Sequence, residues 1–123
     1  MKNVSEDIQQ LVRVINEDPD ELHGDFTPAV LKLMTKGLPA AIAVLPLLNS
    51  PDSSTRARAY RVLEGVIKIR NGWVPGQGYK DREGQDRTES TLAANGNYNA
   101  QMEEPQRLAA IEKWRSWLEN SAE

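Results

Sequence analysis

Few side chains in this chain have the types and spacing to do chemistry. His23 is the single histidine. A general base needs a nucleophile or an acid placed around it, and no residue near His23 in the sequence identifies one. Its plain reading is a loop side chain making ordinary hydrogen bonds. Asp18, Asp20, Glu21 and Asp25 crowd the same stretch and raise the question of a metal. They lack the oxygen-ligand spacing and the central glycine of a calcium-binding loop, so a solvated acidic turn is expected and no metal ligand is assigned. Gly76-Gln77-Gly78 has no recognisable strand before it or helix after it, and no Gly-x-x-x-x-Gly-Lys-Ser/Thr run exists, so no phosphate loop is expected. Asp81, Glu83, Asp86 and Glu89 alternate with Lys80, Arg82 and Arg87, which suggests mutual neutralisation before an acid–base pair. With no cysteine there is no disulfide, no thiolate zinc site and no thiol nucleophile. No catalytic residue and no cofactor is assigned, and the chain is expected not to be an enzyme.

What remains is recognition. The net charge of −3 hides an asymmetry along the chain. Residues 1–27 carry two cations against seven carboxylates, and residues 28–70 carry seven cations against two carboxylates. Either the two segments attract each other in the fold, or the basic segment faces an acidic partner. Arg58, Arg61 and Lys68 are the partner-binding candidates on the basic segment. Trp73, Tyr79, Lys80, Arg82 and Tyr98 are the candidates in the polar stretch that follows. For Trp73 and Tyr79 the competing reading is packing, as a plug at one end of the helices, because aromatic contacts are more often packing than recognition.

These residues are positioned by a helical hairpin over residues 36–70. Gly37 can take the left-handed conformation that ends a helix, and Pro39 suits a first helical turn. Ile42, Val44, Leu45, Leu47 and Leu48 make the next segment apolar on most sides, which predicts burial. Pro46 removes the bond to the carbonyl of Ile42 and predicts a kink. Asn49-Ser50-Pro51-Asp52 is a turn, and Asp52, Ser53 or Ser54 can cap the helix after it. On that helix Ala59, Val62, Leu63, Val66 and Ile67 recur at helical spacing. Arg56 falls near the edge of this stripe, four residues after Asp52 and within ion-pair reach of it.

Gly37-Leu38-Pro39-Ala40, Val44-Leu45-Pro46-Leu47-Leu48 and Asp52-x-x-x-Arg56-x-x-Ala59-x-x-x-Leu63 together resemble a HEAT repeat of the short bacterial kind, with Thr55 where a valine is usual. The resemblance covers about one repeat. It implies a proline-kinked first helix, an Asp52 and Arg56 that bond between neighbouring repeats, an α-solenoid and a protein-binding role rather than a reaction. Segment 5–36 would be a degenerate first repeat. Arg107-x-x-Ala110-Ile111-x-x-Trp114-Arg115-x-Trp117, preceded by Gly78-Tyr79, resembles the closing helix of some HEAT-like bacterial proteins.

Before the hairpin, Ser5 reads as a helix start, and Ile8, Leu11, Val12 and Ile15 form a stripe that ends before Pro19. Thr27-Pro28 is a cap and a first-turn proline, with Val30, Leu31 and Met34 lining a short helix. After Asn71-Gly72 no helical or strand period continues, so 71–104 reads as a long polar loop, with a short helix near 88–94 as an option. A connection beyond ~12–15 residues is unusual in a compact domain, which makes this one either functional or partly disordered. Pro105 starts a closing helix over 105–119, with Leu108, Ile111, Trp114 and Leu118 on one face and Trp117 beside it. Trp114 and Trp117 are taken as structural, as are Asp52 and Arg56.

The expectation is one all-α domain over residues 1–123: a HEAT-like bundle or mini-solenoid of about five helices with a long loop before the last. No apolar run has the length of a signal peptide or a membrane span, so a cytoplasmic protein is expected. Its expected function is a non-enzymatic interaction module, or a small inhibitor or adaptor, acting on another protein through a helical face or the 71–104 loop. One alternative is nucleic-acid binding through Lys32, Lys36, Arg58, Arg61 and Lys68, although a pI of about 5.2 is acidic for that role. The other is an accessory subunit of an enzyme, by resemblance to the longer HEAT-like lyases that attach bilin pigments; no residue set maps onto those.

Overall fold

A computed structural model describes residues 2–19, 22 and 24–121. His23, Asp20 and Glu21 lie outside the described residues. The chain is all-α, mostly helical, with six α-helices and one two-stranded ribbon among the described residues. The helices are α1 (Lys2–Arg13), α2 (Pro28–Met34), α3 (Leu38–Val44), α4 (Ser53–Arg70), α5 (Arg82–Ala94) and α6 (Glu104–Ser121). A 3-10 helix (Leu45–Asn49) continues α3, and the ribbon pairs β1 (Trp73–Val74) with β2 (Gly78–Tyr79).

α4 is the central element, and every other helix except α1 and α6 packs directly on it. Asp52 caps it, accepting from the Thr55 N–H at 2.9 Å and the Thr55 hydroxyl at 2.7 Å. Its predicted stripe is the core: Ala59, Val62, Leu63, Val66 and Ile67 are all buried. Each large aliphatic there contributes roughly 1.5–3 kcal/mol before ordering entropy is subtracted. The Pro46 kink takes the form of a change of helix type. α3 ends at Val44, the Leu45 N–H bonds the Ile42 carbonyl, and the chain tightens into the 3-10 turn. Thr27 caps α2 as expected, and its buried hydroxyl also donates to the Ile15 carbonyl at 2.7 Å, tying α2 to the end of the α1 segment. α6 closes the bundle over the 3-10 helix and α3, with Trp114 and Leu118 fully buried. Trp114 meets Trp117 edge to face at 5.7 Å.

Several expectations need correction. α1 begins at Lys2, before Ser5. Leu31 is exposed and Leu33 takes its place in the core. Ile42 and Leu108 are 43% and 49% exposed, despite the apolar runs they belong to. The reason for Leu108 is geometric: six residues before Trp114, at about 100° per residue, it lies some 120° round the helix from that side chain.

The largest correction concerns residues 71–104. The segment is not one long loop: it holds the ribbon, the 13-residue helix α5 and an irregular strap over residues 95–103. Gly76, at φ 81°, and Gly78, at φ 92°, serve the turn of the ribbon. Asp81 caps α5 through the Gly84 N–H at 2.8 Å. The buried positions of α5 are Gly84 and Thr88, followed by half-buried Leu92 and the cap residue Asn95. That spacing is helical, but the residues are small and polar, so a search for apolar periodicity passes over it.

Candidate functional site

Tyr98 anchors the strap. Its hydroxyl donates to the Leu48 carbonyl at 2.5 Å and its ring is 4% exposed. Arg56, also buried, donates from Nε to the Ala100 carbonyl at 2.9 Å and from Nη1 to the Ser50 carbonyl at 2.7 Å. Arg107 donates to the Met102 carbonyl at 2.8 Å and to Asn49 Oδ1 at 3.2 Å. Three long side chains therefore sew the strap to the 48–50 turn at the end of the 3-10 helix. Arg56 does not use its reach toward Asp52: its guanidinium serves two carbonyls, and the Asp52 carboxylate serves Thr55. These Thr55 bonds hold the Asp52 carboxyl below its usual range.

Between the strap and α4 lies a cleft of about 270 Å³. Ala57, Tyr60 and Arg61 form the α4 wall, at the i, i+3 and i+4 positions that share one helix face. Residues 98–101 of the strap form the opposite wall, and Asp25 closes one end. The Tyr60 and Tyr98 rings lie 5.0 Å apart at 35°. Arg61 donates to Asp25 at 3.2 Å and to Glu64 at 2.9 Å, with its guanidinium 5.8 Å from the centre of the Phe26 ring. Burial opposes the charge on Arg61, but the bonds to Glu64 and Asp25 outweigh it and raise its pKa. Burial also pushes the Tyr98 phenol up to about 12, and pushes Tyr60 up further with help from the nearby Glu64 carboxylate. A phenol is neutral at physiological pH even without such a shift, and the Tyr98 hydroxyl already donates to the Leu48 carbonyl.

The candidate residues do not form one site. Arg61 and Tyr98 come together in the cleft. Arg58 sits beside it, donating to the Gly24 carbonyl at 2.9 Å and to Asn16 Oδ1 at 2.7 Å. Lys68 stands further along α4 with its ammonium 5.2 Å from the centre of the Trp73 ring. Trp73 pairs across the ribbon with Tyr79, and both are half-buried. Lys80 and Arg82 are exposed beyond them. Much of the basic segment is engaged within the fold: Lys36 pairs with Asp7 at 2.8 Å, and Arg61 with Asp25. The attraction between the acidic and basic segments therefore accounts for part of the charge asymmetry.

Sequence reasoning missed Tyr60, Ala57 and Gln101 as cleft residues. Tyr60 carried a usable signal, as an aromatic one residue off the apolar stripe of α4 and next to Arg61. Asn99 and Gln101 carried none, because an irregular strap has no period to read. Asp25 was visible only as part of an acidic stretch. Among the described residues no cluster of histidine and carboxylate side chains could hold a metal, and no helix is long and apolar enough to cross a membrane. No protein-family model, curated protein or solved structure matches the chain.

Proposed function

We propose that this chain is a HEAT-like, non-enzymatic protein-interaction module that receives a segment of another protein in the cleft between α4 and the 95–103 strap, as a small inhibitor or adaptor would. The observation that carries the reading is the chemistry of the cleft walls. Its two phenol rings lie 5.0 Å apart, and its one guanidinium is held by the Asp25 and Glu64 carboxylates. Side chains fixed this way present a preformed surface of aromatic faces and a charged edge, which suits recognition and not proton transfer. Support for the HEAT-like part comes from the break at Pro46, the 49–52 turn and the Asp52 cap of the 18-residue helix that follows. Arg56 departs from the repeat pattern by bonding the strap of its own chain. A chain without cysteine has no disulfide to protect, so a reducing cytoplasm suits it. Nucleic-acid binding has less support, since Lys36, Arg58, Arg61 and Lys68 already have partners in the fold.

The test is a photo-crosslinking amino acid placed at exposed Gln101 on the cleft rim, with exposed Gln85 of α5 as the control position. The expected result is a discrete protein adduct from position 101 that disappears when Ala57→Gln fills the cleft. An adduct that survives Ala57→Gln, or labelling no different from position 85, sinks the proposal, as does turnover by the pure protein.

A further inference from the structure

α6 meets α3 and the 3-10 helix in a groove of about 230 Å³. Ile42, Leu45, Pro46 and Leu118 line it, with Arg115 and Glu119 beside them. Two large apolar side chains are left in water here. Ile42 stands at the groove, and Leu108 stands on α6 itself. At about 100° per residue, Leu108, Glu112, Arg115 and Glu119 share one strip along α6, the strip that borders the groove. Along the helix axis Leu108 and Leu118 are about 15 Å apart.

The geometry points to a second copy of this chain as the occupant of the groove, docked by antiparallel pairing of α6 with α6 about a two-fold axis. A two-fold interface needs a surface complementary to itself, in which each contact occurs twice. The strip satisfies this. With the axis between positions 113 and 114, Glu112 of one copy faces Arg115 of the other, and the reverse. The same register carries Leu108 of each copy to positions 118 and 119 of the other, which is where the groove lies. One exposed apolar knob and one apolar groove per copy are thereby both covered. Parallel pairing in register would set Glu112 against Glu112 and Arg115 against Arg115, which charge repulsion disfavours. Within one copy Arg115 and Glu112 already pair on the helix surface, so both are oriented before association. A guanidinium has five N–H donors, which leaves capacity for the carboxylate of the second copy.

Sedimentation of the purified full chain from about 1 µM to about 1 mM tests this. The mass should rise from 13.8 kDa toward twice that value and no further. Leu108→Glu and Ile42→Glu alter exposed side chains, so each should leave the circular dichroism spectrum unchanged and weaken self-association at least about tenfold. Glu112→Arg and Arg115→Glu should each weaken it, and the two combined should restore it by reversing both ion pairs. A monomer at every concentration overturns the proposal, including the case in which a different protein fills the groove. So does a dimer indifferent to Leu108→Glu and Ile42→Glu, or an open series of larger species. Failure of the double exchange to restore association overturns the antiparallel register.

Discussion

Replacing Gly84 with alanine sets two physical effects against each other. Gly84 is in the first turn of α5, where alanine gains at most about 1 kcal/mol of helix propensity. The position is not open, however. A Cβ there would stand 2.1 Å from the Asn71 carbonyl oxygen, and that oxygen is backbone at the end of α4. α5 would have to withdraw by about 0.9 Å merely to reach the closest separation real Cβ atoms show. Overpacking of this kind costs about 1–3 kcal/mol. The shift also strains the Asn71 Nδ2 to Thr88 hydroxyl bond at 3.0 Å, worth about 1 kcal/mol more. The balance is a net loss of about 2 kcal/mol for Gly84→Ala, or a fall in melting temperature of about 8 °C for a domain of this size. Urea and thermal denaturation read the loss, and amide exchange should localise it to residues 82–95. Gly65→Ala is the internal comparison. The atoms nearest its Cβ are Met34 Cγ, Cε and Sδ, at 2.5 to 2.9 Å, and an unbranched side chain yields more readily than backbone. That variant should lose less than half as much. If Gly84→Ala is as stable as the parent protein, then α5 does not rest on the end of α4.

Other consequences are as direct. Arg56→Lys should cost about 2 kcal/mol in urea denaturation, because a lysine cannot serve the Ser50 and Ala100 carbonyls in two directions; faster amide exchange at residues 98–102 should accompany it. Thr27→Val keeps the shape but strands the Ile15 carbonyl and the Val30 N–H in the core, for a loss of about 2–3 kcal/mol on the same measurement. Tyr60 and Tyr98 have folded pKa values raised above the unfolded value of 10.0, so their contribution is complete below pH 10 and is lost as the pH climbs from there. For Tyr98 the loss runs up to about pH 12. Stability should fall across that range, and the fall should be shallower in Tyr60→Phe.

The sequence displayed those parts of the fold that are built from aliphatic residues at helical spacing. Ala59, Val62, Leu63, Val66 and Ile67 define α4 because burying them drives its packing; a cap was legible as Asp52, Ser53 or Ser54, and the structure uses Asp52. Only the second half of α5 was legible, as the optional short helix near 88–94, because a helix can be held by close approach and hydrogen bonds. Gly84 lets the backbone of α4 come near, and Thr88 both accepts from Asn71 and donates to the Gly84 carbonyl. No apolar period marks such a contact. Leu108 shows the opposite failure, since residues spaced i, i+3 and i+6 drift round a helix and the first of them leaves the core.

The cleft was half legible for a related reason. Arg61 and Tyr98 could be singled out by type, but 37 positions separate them, and only the strap brings them together. Arg56 helps Tyr98 and Arg107 to fix the strap, and the sequence marks it as a structural residue within reach of Asp52. Its position at the edge of the α4 stripe was read correctly; its partners were not, because backbone carbonyls carry no sequence signature. The consequence reaches the function. A buried guanidinium holding two carbonyls is costly to disturb, since removing it leaves acceptors unsatisfied. The cleft wall is therefore set in the isolated chain, and under the proposed function a partner need not supply the ordering free energy of the strap. That distinguishes this arrangement from a free loop that folds on binding: a peptide copied from residues 95–103 lacks Tyr60, Arg61 and the turn that holds the strap, so it should compete poorly with the intact protein for the same partner.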